Sequence, residues 1–201
     1  GALKTGEIRP WLQPIIDREG KTIGAEALVR WMHPELGMIS PGVFIPLFED
    51  NGLIQKLDYY IWDKALECAG RWKKNYGIEL PLSINVSRTD FLFDDLCDVL
   101  VGLVDKYQID PKYLKIEITE SAYIDNPDKI VSMMTRLKEY EFIVVMTKAD
   151  KLKKKKDYNA RLEGSKQEMS FVPPERLIPF SSENGEGLDT VKKYIEQYLG
   201  E

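Results

Sequence analysis

Six polar side chains lie at or near the ends of short apolar runs in this 201-residue chain: Gln13, Glu26, Arg30, Asn85, Glu117 and Glu120. Parallel α/β architectures gather functional groups at the carboxyl ends of strands, so residues from separate strands can meet on one rim. Glu26, Asn85 and Glu117 would offer only oxygen ligands, the donor set of Mg²⁺, Mn²⁺ or Ca²⁺ rather than of a thiolate-seeking metal. Spacing alone leaves a second reading open, in which the same residues cap strand ends. Cys68 and Cys97 are the only cysteines. Two cysteines make neither a disulfide framework nor a cysteine zinc site, and they read as buried or half-buried thiols of a reducing, cytoplasmic setting. His33, the only histidine, reads as a loop-packing residue rather than a base. Gly20-Lys21-Thr22 has the ending of a phosphate-binding loop, but such a loop needs a glycine five residues before Gly20, where Ile15 stands.

These side chains need strands to carry them. PWLQPIID and IGAEALVRW read as two strands joined by the turn Arg18-Glu19-Gly20-Lys21. Pro34, Gly37, Pro41 and Gly42 mark a loop. Helices are expected over about 41–51 and 54–76. The second carries Leu57, Ile61, Ala65 and Cys68 at helical spacing, and Gly77 stops it. LPLSINVS reads as a short buried strand, followed by a helix within 91–107, a strand over 113–118 and a helix from Asn126-Pro127 to about residue 140. FIVVM is a continuous apolar run suited to a buried parallel strand. A lysine-rich stretch over 151–156 and a helix around 157–169 lead to the strand RLIPF. A Gly-bearing turn over 181–187 then opens a final amphipathic helix with Val191, Tyr194, Ile195 and Tyr198 on one face. The expected fold is α/β, a mainly parallel sheet of about six strands with flanking helices and an antiparallel first strand.

Composition narrows the function classes. With 43% hydrophobic and 30% charged residues the chain is far from the disordered range. A net charge of −5 argues against a nucleic-acid binder, whose affinity rests on basic residues neutralising phosphates. No apolar run approaches the ~18 residues that a membrane span needs, and no signal-peptide pattern opens the sequence. Neither nucleic acid nor membrane is expected as a partner, and homo-oligomerisation stays open.

Three motifs in order, GAEALVRWMHPELGMISPGVFIPLFEDNGLI, LSINVSRTDF and LKIEITESAYIDNPDKI, resemble the first two-thirds of the EAL phosphodiesterase family over about residues 6–142. The resemblance implies a barrel-like fragment that binds cyclic-di-GMP across its strand ends, where two divalent cations activate a water for phosphodiester hydrolysis. It implies Glu26, Asn85 and Glu117 as metal ligands and Arg30 as the arginine that meets substrate phosphate. Gln13 and Leu28 would line the substrate groove, and Glu120 would steady a neighbouring loop.

After Phe142 the resemblance breaks. The family pattern expects two aspartates in a DDFG-like motif at this strand end, but IVVMTKAD puts Thr147 and Lys148 there. A hydroxyl replaces one ligand, and an ammonium stands where a dication should go. VVMTKADKL and LIPFSSENGEGLDTVKKYI resemble instead the carboxy-terminal third of ribosome-assembly GTPases of the EngB/YsxC type, over about 143–201. That resemblance implies a P-loop or flavodoxin-like part and a guanine-reading set of Thr147, Lys148, Asp150, Ser181, Ser182 and Glu183. The phosphate-binding loop of such a GTPase has no counterpart before it. The joint implication is an engineered chimera of an EAL-like fragment (1–142) and a GTPase-like fragment (143–201) packed as one domain. Such a protein would have no active catalytic residue and no required cofactor, with Mg²⁺ or Mn²⁺ bound only if the remnant metal site survives. Lys148 would approach Glu117 or Glu120 in place of the lost cation. Two alternatives stay open: a cyclic-di-GMP phosphodiesterase, and a non-catalytic receptor that binds a guanine nucleotide or cyclic-di-GMP weakly.

Overall fold

The computed structural model describes residues 1–93, 95–119, 132, 136, 143–147, 177–179 and 189. The helices expected over 126–140 and 157–169, the turn over 181–187 and the last helix lie outside the described residues, apart from Ser132, Arg136 and Asp189. Two compact units divide the chain, Gly1–Asn85 with Asp98–Leu114, and Val86–Cys97 with Lys115–Glu201.

The first unit opens with an antiparallel hairpin of β1 (Ile8–Ile16) and β2 (Thr22–His33). Asp17 holds the turn, its Oδ1 accepting the N–H groups of Glu19 at 2.9 Å and Lys21 at 2.8 Å, and Gly20 supplies the positive φ of 84°. The GKT tripeptide therefore belongs to a hairpin turn, as the sequence implies. The next segment departs from expectation. Part of the loop expected between Pro34 and Pro41 is a third strand, β3 (Gly37–Ile39), antiparallel to β2 with His33 opposite Gly37 and Trp31 opposite Ile39. His33 makes this possible, because its Nδ1 accepts the N–H groups of Glu35 at 3.2 Å and Leu36 at 3.3 Å and closes the reversal.

Helices α1 (Pro41–Asp50) and α2 (Ile54–Tyr76) follow, and Gly77 ends α2 in the left-handed conformation with its N–H on the Lys73 carbonyl. They supply Phe44, Ile54, Leu57 and Ile61 to a core shared with Ile8, against which Val29 and Trp31 of β2 pack. Trp31 meets Phe44 and Phe48 edge-on, with ring centroids 5.5 and 6.2 Å away. Strand β4 (Leu82–Val86) runs parallel to β2, and α3 (Leu96–Tyr107) is tied to α2 through Asp63, which accepts from Lys106 at 2.6 Å and Tyr107 at 2.9 Å.

In the second unit β5 (Leu114–Thr119), β6 (Ile143–Thr147) and β7 (Leu177–Pro179) pair parallel in that order. Ile116 and Ile118 are buried on one face of β5, while Lys115 and Glu117 occupy the other. Among the described residues there are seven strands. Two pairings are antiparallel, β1 with β2 as expected for the first strand and β2 with β3 beyond that expectation, so the fold is a mixed α/β sheet with one more strand than the six expected. The extra antiparallel strand comes from the local reversal at His33, which a pattern of Pro and Gly reads as a loop.

Candidate active site

Period-two alternation sets the site strand. Ala25 and Ala27 are buried on one face of β2, and Glu26, Leu28 and Arg30 share the other. Cross-strand register then brings β1 residues beside them: Gln13 opposite Glu26, Trp11 opposite Leu28, and Arg9 opposite Arg30. On the parallel side Glu26 lies opposite Ser83 of β4, with Asn85 two residues farther on the same face. Asn85 donates from Nδ2 to Glu26 Oε1 at 3.0 Å.

Two features of the sequence create this approach. Gly24 stands where a Cβ would lie 2.9 Å from the Pro81 carbonyl oxygen, so a side chain there would push β4 away. Its neighbour Ala25 donates its N–H to the same oxygen at 2.9 Å. Trp62, only 1% exposed, donates from Nε1 to the Asn85 carbonyl at 3.0 Å and fixes the backbone that carries the amide. Arg30 is half-buried, with Nη1 on the Val29 carbonyl at 2.9 Å.

Five of the expected residues, Gln13, Glu26, Leu28, Arg30 and Asn85, thus lie on one face of three paired strands. Glu117 belongs to the second unit, half-buried on β5 and level with Val145 of β6. Thr147 ends β6 level with Thr119, and its side chain is outside the described residues. Glu120, Lys148, Asp150, Ser181, Ser182 and Glu183 also lie outside them, as does the contact expected from Lys148 to Glu117 or Glu120. A different lysine shares a strand face with Glu117. Lys115 is 3% exposed, and burial pushes its ammonium down to about 8 against the pull of the Glu117 charge. The alternation Leu-Lys-Ile-Glu-Ile was the available signal for it. Trp11 and Arg9 were likewise unmarked, and only the β1–β2 register reveals them.

The donor chemistry suits a hard cation in part. Glu26 and Asn85 bring a carboxylate and an amide oxygen to one place, and their mutual bond uses only Oε1 and Nδ2. Among the described residues no three His, Cys, Asp or Glu side chains gather into a group that could hold a metal.

The EAL domain family model matches residues 1–163. The chain belongs to the EAL domain family. The cyclic di-GMP phosphodiesterase PA2567 of Pseudomonas aeruginosa is 37% identical over 128 residues, which is 63% of this chain and 22% of that protein. The bifunctional diguanylate cyclase/cyclic di-GMP phosphodiesterase MucR of the same organism is 30% identical over 137 residues, 68% of this chain and 20% of that protein. The chain therefore spans about a fifth of the length of these curated relatives. Among solved structures, the phosphodiesterase of PaMucR in complex with c-di-GMP has a TM-score of 0.69 at 21% identity, covering 99% of this chain and 89% of that one. The FimX EAL domain of Xanthomonas citri in complex with c-diGMP has a TM-score of 0.71 at 13% identity, covering 96% and 85%.

This EAL assignment corrects the expected seam at residue 142. The family match crosses it and continues through residue 163, and the structural likeness extends over nearly the whole chain. An EAL-type α/β fold takes the place of a chimera with a P-loop or flavodoxin-like GTPase tail. The physical reason for the misreading is that a buried apolar strand ending in a polar turn serves both families, so VVMTKAD does not by itself specify either. Among the described residues no helix is long and apolar enough to cross a membrane.

Proposed function

We propose that this EAL domain is a cyclic-di-GMP phosphodiesterase, a metal-dependent hydrolase that opens one phosphodiester of the cyclic dinucleotide. The observation that carries the reading is the Glu26–Asn85 hydrogen bond of 3.0 Å between β2 and β4, two of the three expected metal ligands already side by side. Its support from outside the chain is the family match and the phosphodiesterases among the relatives. Glu26 and Asn85 would hold a divalent cation, whose chemistry is to polarise a phosphoryl oxygen and acidify a bound water. Arg30 would meet a phosphate oxygen with its forked donors. Gln13 and Leu28, on the same face of the β1–β2 pair, would orient the nucleotide beside it.

A second reading, binding of cyclic-di-GMP without turnover, is favoured by one observation. β6 ends in Thr147, followed by Lys148, where the family pattern expects aspartates. Chromatography of cyclic-di-GMP incubated with the purified chain and Mg²⁺ or Mn²⁺ separates the two. Phosphodiesterase activity predicts a linear dinucleotide product that disappears with Glu26→Gln. Saturable binding by calorimetry with no linear product would leave the receptor reading, and neither binding nor product would reject both.

A further inference from the structure

The polar face of β1 carries more than Gln13. Directly opposed residues of an antiparallel pair share a face, so Arg9, Trp11 and Gln13 lie with Arg30, Leu28 and Glu26. The opposite face of β1 is pinned by Ile8, fully buried in the core, so the strand cannot turn these side chains inward without a register slip. Trp11 nevertheless remains 47% exposed, a large apolar ring displayed on the face of the proposed site. Pro10 and Pro14 stiffen the backbone that holds it. Beside it stands a like-charge pair. Arg9 is directly opposite Arg30, an arrangement that costs stability in a strand pair, and no carboxylate among the described residues forms a salt bridge with either. Two guanidinium groups favour a shared anion, and an exposed indole favours a flat aromatic ring.

We propose that Arg9 and Trp11 form a subsite for one nucleotide half of a cyclic purine dinucleotide, Arg9 sharing its phosphate with Arg30 and Trp11 stacking on its base. The subsite rests on the cyclic-di-GMP reading for the identity of the nucleotide and adds two residues that the family motifs did not mark. Arg9 is exposed, so its charge acts through a solvated contact, whereas Arg30 is half-buried and better placed to hold the phosphate firmly.

Calorimetric titration of the full chain with cyclic-di-GMP, together with tryptophan emission, tests the subsite. Trp11→Ala should weaken binding about tenfold and Trp11→Phe should recover most of it, as expected for stacking on a ring. Arg9→Ala should weaken binding by a smaller factor and flatten its dependence on salt. Nucleotide should quench indole emission in the unaltered chain and do so less in Trp11→Phe. Equal cyclic-di-GMP affinity for the unaltered chain and Trp11→Ala, with matching circular dichroism, would overturn the subsite and leave the phosphodiesterase reading intact. Failure of the unaltered chain to bind the nucleotide at all would overturn that reading, and the subsite with it.

Discussion

Glu26 and Glu117 are both half-buried carboxylates on strands, yet their surroundings differ in kind. Glu26 accepts a hydrogen bond from the neutral amide of Asn85, which can exchange its donor for its oxygen when a cation arrives. Glu117 shares its strand face with the ammonium of Lys115, which is buried and attracted by the Glu117 charge. A cation entering beside Glu26 displaces a neutral group, whereas one entering beside Glu117 meets a buried positive charge. The lesson is that two acids with the same expected role need not be equally ready for metal. The β2–β4 pair should take the first cation, and the β5 region should resist it.

The largest effect should come from removing what holds the amide. Trp62 is almost fully buried and its indole N–H supports the Asn85 carbonyl, so Trp62→Ala should cost about 3–5 kcal/mol of stability in urea unfolding. Trp62→Phe keeps most of the volume but leaves that carbonyl without its donor, and should cost about 1–3 kcal/mol. If Trp62→Phe were neutral in stability and in metal affinity, the indole would not be positioning Asn85.

Lys115 sharpens the other side of the comparison. Its value near 8 in the folded chain lies below the ordinary 10.5, so between these the unfolded chain binds more protons and stability rises with pH. Below pH 8 both states are protonated, and the penalty is present in full, on the order of 3 kcal/mol. Lys115→Met should therefore stabilise the chain at pH 7 by about 1–3 kcal/mol and remove the rise between pH 8 and 10.5. An unchanged pH profile of urea midpoints in Lys115→Met would place the titration elsewhere.

Much of the first unit was legible because its signals are local. Gly77 marks the end of α2 through the left-handed cap it adopts, and the Asp17–Gly20 turn follows from side chains that bond their own backbone. The Glu26–Asn85 pair was legible only by motif, since 59 residues separate them and strand pairing decides their meeting. What stayed hidden depends on tertiary context. β3 exists because His33 closes a reversal and β2 offers a pairing edge, which a Pro- and Gly-rich stretch does not announce. Alternation places Lys115 with Glu117 but does not say that this face is buried, and Trp11 gains its meaning from lying opposite Leu28. The seam expected at residue 142 rested on the short polar motif after a buried strand, and the apolar run itself assigns that strand to neither family.

The most direct measurement is Mn²⁺ binding, followed by the loss of the free-ion electron paramagnetic resonance signal on titrating the unaltered chain, Glu26→Gln and Lys115→Met. The Glu26–Asn85 pair as the first cation site predicts saturable binding to the unaltered chain, at least tenfold weaker binding to Glu26→Gln, and undiminished binding to Lys115→Met. Equal Mn²⁺ affinity for the unaltered chain and Glu26→Gln would contradict the assignment of Glu26 as a metal ligand.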